Sequence, residues 1–210
     1  MRGVRIFTTK VRSTVRTTKL NIFVVLTVLL TLVVNITSCQ DSNYTPKPRG
    51  YFRIDFPHKA YKSYEGSCPF TFEYPEYATV DIDDERDTKP CWLNIHLNDF
   101  NATIHLSYNE VRNNLSKFTE DSRTLTNKHI IKASGIDESV ITTPNHVYGV
   151  KFNIEGNTAS SVQFYATDSV HHFLRGALYF NVAPQVDSLY PVIRFIEADI
   201  DHLVETLKWK

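Results

Sequence analysis

The sequence predicts one α+β domain, a mostly antiparallel sheet with helices packed on it. Three observations predict it. Several segments alternate apolar and polar residues, others place apolar residues at helical intervals, and the elements run strands, helix, strands, helix. Short loops between consecutive strands favour antiparallel pairing.

Each element has its own justification. Tyr51-Phe52-Arg53-Ile54-Asp55-Phe56-Pro57 mixes aromatic, apolar and charged residues and reads as an edge strand ended by proline. Phe70, Phe72 and Tyr74 alternate with Thr71 and Glu73. Cys91, Leu93, Ile95 and Leu97 alternate with Trp92, Asn94 and His96, and Ala102, Ile104, Leu106 and Tyr108 with Thr103, His105 and Ser107. Period two with one apolar face describes a half-buried strand. Asn98 to Asn101 joins the last two as a hairpin loop.

Ser107 and Glu110 then show capping-box spacing, with Val111, Leu115 and Phe118 at helical intervals, which predicts a helix over 109–122. A second helical piece is expected over 126–133, stopped by Gly135. Strands are expected over 139–142, 146–154, 160–166 and 173–182, with a turn at Gly156-Asn157. Leu189, Val192, Ile193, Ile196, Ile200, Leu203, Val204 and Leu207 form one stripe of a final helix, with Pro191 in its first turn.

Ahead of the domain, six basic residues and no acid precede an apolar run from Ile22 to Val34. As a helix that run covers roughly 20 Å, short of the ~30 Å hydrocarbon core, so residues 1–38 read as a secretory signal. Ile36-Thr37-Ser38-Cys39 resembles a bacterial lipobox, which implies cleavage after Ser38 and acylation of Cys39. Acyl chains hold a protein at a bilayer through ~0.8 kcal/mol per buried methylene. Residues 39–50 follow as a tether whose alternating prolines favour extended backbone, and 51–210 as the globular domain. An envelope location, lipid-anchored and facing the periplasm, is the expectation.

Without the leader the chain holds 17 basic and 23 acidic residues, a net charge of −6, which makes nucleic acid a poor partner. Seven glycines and no glycine-rich phosphate loop argue against a nucleotide enzyme. Export exposes Cys68 and Cys91 to an oxidising compartment, and a disulfide between them would tie two strand starts together. Such a loop contributes about 3 kcal/mol in the chain-entropy model.

Other candidate chemistry is thin. His96 and His105 share a face of the predicted hairpin, but no third ligand stands at a recognisable spacing, and His171-His172 reads as a polar turn. The acidic run Asp81 to Asp87 lacks the glycine and glutamate of a calcium loop and reads as solvated. Neither a G-x-S-x-G elbow nor an H-E-x-x-H pair occurs, so no catalytic residue, metal or cofactor is assigned.

The lipobox at Cys39, the run Pro46-Lys47-Pro48-Arg49-Gly50-Tyr51-Phe52-Arg53-Ile54-Asp55-Phe56-Pro57, the segment Cys68 to Pro75, Cys91-Trp92-Leu93-Asn94-Ile95 and the stretch Arg194 to Trp209 together resemble the GldD family of gliding-motility lipoproteins from the Bacteroidetes. The resemblance implies an envelope lipoprotein needed for a surface motility linked to type IX secretion, with other envelope proteins of that machinery as partners. It carries over no catalytic residue. A more distant likeness, in element order only, is to PsbP/Mog1-type α+β sandwiches. The expected role is a membrane-tethered, non-enzymatic interaction module with Arg49, Tyr51, Phe52, Arg53 and Phe56 near the contact surface, since aromatics and arginine favour interface cores. The alternatives are a periplasmic binder of a small lipid or glycan, and a hydrolase.

Overall fold

The computed structural model describes residues 22, 24–30, 50, 53–83, 89–182 and 186–210. The chain divides into two units, residues 1–50 and 51–210. In the first, residues 22 and 24–30 are helical. Among the described residues no helix is long and apolar enough to cross a membrane. The lipobox, Cys39 and the tether up to Arg49 lie outside the described residues, as do Tyr51 and Phe52.

The second unit runs β1 (Tyr61–Tyr64), β2 (Phe70–Pro75), β3 (Thr79–Ile82), β4 (Leu93–Leu97), β5 (Ala102–Glu110), α1 (Leu115–Asn127), β6 (Ala133–Thr142), β7 (Tyr148–Gly156), β8 (Ser160–Thr167), β9 (His172–Phe180), α2 (Val186–Thr206) and β10 (Lys208–Trp209). Strands β3-β4-β5-β9-β8-β7-β6 form a seven-stranded sheet, and β1-β2-β10 a three-stranded one. Every pairing is antiparallel. The fold is α+β with mostly antiparallel sheet, as the sequence predicts.

Alternating side chains give the large sheet two buried faces. Leu93, Ile95, Ile104, Leu106, Phe164, Leu174 and Leu178 meet Phe70 and Phe72 of the small sheet and Ile196, Ile200 and Leu203 of α2 in the main core. The neighbours Tyr165 and Phe173 point the other way, into a second cluster with Val150, Phe152 and Ile154, against which Leu115 and Phe118 of α1 pack. Strand β8, between β9 and β7, is therefore buried along its whole length. Helix α1 lies over β8 and β9.

Several expectations need correction. Residues 53–60 form no strand; they run as an irregular strap ahead of β1. Ser107 and Glu110 are not a helix cap. Strand β5 continues through both because β9 pairs with it down to Glu110↔His172. Asn113 then turns into the left-handed region at φ 58°, and α1 begins only at Leu115. The helical piece over 126–133 is instead the end of α1 at Asn127 followed by turns. Gly135 stops no helix; it sits beside a bulge near the start of β6, ahead of the predicted strand start. Pro191 lies in the second turn of α2, not the first, since that helix starts at Val186. Gly156 does turn the chain after β7, with φ +101°, which a side chain would strain.

Candidate functional site

Helix α2 carries the two polar constellations that stand out. The first involves the strap. Asp199 falls on the apolar stripe of α2, three residues after Ile196 and four before Leu203, so its carboxylate is carried into the domain and its side chain is only 1% exposed. Three donors meet it there. Lys59 Nζ lies 2.5 Å from Oδ1. The Tyr61 hydroxyl donates to the same oxygen at 2.9 Å, and the Tyr77 hydroxyl donates to Oδ2. Lys59 also donates to the Phe195 carbonyl at 2.7 Å and sits 3.5 Å from the centre of the Phe195 ring.

These contacts shape the ionisation. Burial lowers the Lys59 pKa and outweighs the raising effect of Asp199. Burial, then the bond to Asp199, push the Tyr61 phenol up to about 12, and the same causes raise Tyr77. The result is a phenol–carboxylate–ammonium knot that fixes the strap to α2 immediately before β1. His202 extends it: its ring stacks on Tyr61 with centroids 3.7 Å apart and Nε2 lies 2.7 Å from Glu73.

Further toward the start of the strap, Phe56 stacks on Phe195 at 4.4 Å and approaches Phe100 at 6.1 Å, with Tyr77 edge-on to Phe100 at 5.9 Å. Phe56 remains 37% exposed. The Arg53 side chain is 89% exposed and, among the described residues, pairs only with Asp55, at 3.1 Å, within the strap. Such an exposed pair contributes little to stability. Of the five predicted contact residues, the structure thus places Arg53 fully on the surface and Phe56 half on the aromatic cluster. Arg49, Tyr51 and Phe52 lie outside the described residues.

The second constellation faces β7. Lys151 Nζ donates to Glu197 at 3.0 Å and to Asp201 at 2.6 Å; Glu197 also accepts from Asn153 at 2.9 Å and from Arg194 at 2.7 Å. Burial opposes ionisation of Glu197, but the Lys151 bond and its companions hold it below the usual carboxylate value. Burial likewise works against Lys151, and its two acids more than compensate. Beside this bridge an open cleft of about 500 Å³ is lined by Asp137, Asn153, Glu155, Arg194 and Glu197 among others. Its wall mixes these polar and charged groups with the apolar side chains of Ile154, Val162 and Ile193. Ser134 and Ser161 line it, with no histidine in the lining to act as their base.

Cys68 and Cys91 are joined, Cα to Cα 5.5 Å. The bond ties the entry of β2 in the small sheet to that of β4 in the large one. His96 and His105 lie on a diagonal across the β4–β5 hairpin, and each has a local partner: Thr103 Oγ1 at 3.3 Å for His96, Asn94 Oδ1 at 2.6 Å for His105. Among the described residues no three His, Cys, Asp or Glu groups converge as a metal site. Of the acidic run, residues 84–88 lie outside the described residues. His172 opens β9, where it stacks on Trp209 and bonds Tyr108 at 2.8 Å. Sequence reasoning missed Lys59, Asp199, Lys151 and Glu197. The readable signal was an acid, Asp199, inside an otherwise apolar stripe.

A family model described as gliding motility lipoprotein GldD matches residues 41–209. No curated protein matches. Among solved structures, the solution structure of cyanobacterial PsbP (CyanoP) from Synechocystis sp. PCC 6803 is similar at 7% identity and TM-score 0.45, covering 76% of this chain and 98% of that one.

Proposed function

Since the chain belongs to the GldD family of gliding motility lipoproteins, we propose that it works as a non-catalytic adaptor of the gliding and type IX secretion-linked machinery. In this reading acyl chains on Cys39 hold it at an envelope membrane, with the domain facing the periplasm. Other envelope proteins of the machinery dock on the outer side of the strap.

One observation carries the docking surface. The strap is locked at Lys59 and Phe56, yet it presents Arg53 to solvent, and among the described residues Arg53 pairs with Asp55 of the strap itself. A fixed segment that displays an arginine beside a half-exposed aromatic ring loses little freedom on binding, and these residue types dominate interface energetics. Arg49, Tyr51 and Phe52, which lie outside the described residues, belong to the same proposed contact segment of the sequence.

The test is genetic and chemical. Arg49→Glu together with Arg53→Glu should abolish surface spreading while protein level and thermal stability stay at wild type, because the Arg53 side chain is exposed and its ion pair with Asp55 lies at the surface. A photo-crosslinking residue at position 53 should capture envelope proteins in intact cells. Normal spreading by the double variant, together with no crosslinked product, would defeat the proposal. Cys39→Ser tests the anchor separately: it should move the protein from the membrane to the soluble fraction.

A further inference from the structure

On the face of the large sheet that α1 covers, β9 carries a cation with no anion to balance it. Arg175 is partly buried between Ser107 of β5 and Tyr165 of β8, its register neighbours. Among the described residues no carboxylate lies within 4 Å of its guanidinium. Its Nη2 donates instead to the neutral Gln163 Oε1, at 2.6 Å. Tyr179 stands beside it, and burial, the larger influence, leaves its pKa below the usual arginine value. Buried charges are normally paired, because the desolvation cost is otherwise uncompensated.

Gln163 supplies an independent second observation. It is 2% exposed, and its Oε1 accepts from Arg175 and lies 3.3 Å from the Thr126 hydroxyl, which also bonds the Ser122 carbonyl at 3.0 Å. The other end of the same amide, Nε2, is buried with no hydrogen-bond partner among the described residues. Exchanging O and N of the amide offers no remedy, because the donor-only guanidinium of Arg175 would then face a donor. A third group adds to the picture. His129, in the turns after α1, feels the Arg175 charge as well as burial, and both lower its pKa.

An orphan amide donor and an imidazole thus lie near a guanidinium that pairs with no acid among the described residues. We propose that Arg175 and Gln163 Nε2, with His129 alongside, form a binding site for a single oxyanionic group, a carboxylate or a phosphate carried by an envelope ligand. The group would accept from the guanidinium and from Nε2, giving the orphan amide donor its partner.

The probes are inorganic phosphate and acetate, added to the full chain in detergent, with chloride at equal ionic strength as reference. At ten times its Kd, the effective anion should raise Tm by roughly 3–6 °C. Arg175→Met keeps an unbranched side chain but removes the charge, and should weaken binding roughly tenfold or more. Gln163→Glu places a carboxylate beside the guanidinium. It should raise Tm of the anion-free protein and abolish the response to either probe, so the test survives a variant that fails to fold. A response to one probe alone identifies the class of group. No response of the wild type beyond chloride, or equal responses in both variants, would overturn the proposal.

Discussion

Asp199→Asn probes the knot that holds the strap to α2. The substitution keeps size and shape but removes the charge and turns one acceptor edge into a donor. In the wild type the carboxylate receives two phenol hydroxyls and one ammonium. Hydrogen bonds to a charged acceptor contribute about 1.5–3 kcal/mol, against about 1 for neutral pairs, so each phenol bond loses roughly 1 kcal/mol. The Lys59 side chain is 30% exposed, so water screens it, and the lost ion pair adds only about 1 kcal/mol. The expected destabilisation is about 3 kcal/mol, or roughly 6–12 °C in Tm for a domain of this size. Urea unfolding followed by the fluorescence of Trp92 and Trp209 measures it. Lys59→Met in the same background should cost less than in the wild type, because its partner is already gone. An Asp199→Asn protein within about 0.5 kcal/mol of wild type would refute the assignment of Asp199 as the shared acceptor.

Alkaline stability follows from the same site: the folded-state phenols of Tyr61 and Tyr77 titrate above their unfolded value of about 10, Tyr61 at about 12. Their contribution is complete below pH ~10 and disappears as pH rises through the folded values, so urea midpoints should fall over that range and fall less in Tyr61→Phe/Tyr77→Phe. Gly149→Ala would put a Cβ 1.9 Å from the Tyr165 carbonyl oxygen across the β7–β8 ladder, and should cost about 3 kcal/mol or prevent folding. Gly135→Ala, whose nearest neighbour is the movable end of Glu155 at 3.4 Å, should change the urea midpoint little. Reducing the Cys68–Cys91 bond opens the link between the two sheets and should lower stability by about 3 kcal/mol, read as the difference between urea midpoints with and without reductant.

Much of the architecture was legible because local pattern suffices for it. The alternation in Leu93–Leu97 and Ala102–Tyr108 marks the buried face whatever the strands pair with, and both faces are as predicted. The stripe from Leu189 to Leu207 likewise specifies α2. Where the reading failed, a distant partner overrode a local signal. Ser107-x-x-Glu110 has cap spacing, but β9 supplies nine residues of ladder that extend β5 through it. Thr79–Ile82 and Lys208–Trp209 are too short to show periodicity, and only pairing with β4 and β2 makes them strands.

The candidate sites divide in the same way. An export leader, a lipobox cysteine, a cysteine pair and the family resemblance are properties of contiguous residues, and the sequence by itself determined those expectations. Lys59 and Asp199 stand 140 positions apart, and Arg175 meets Gln163 only because β8 and β9 lie side by side. Which polar groups become buried, and which of them find partners, depends on how the sheet, strap and helices close around the core. That closure is a collective outcome of packing, so only the tertiary structure decided that Asp199 has three donors and Arg175 no acid.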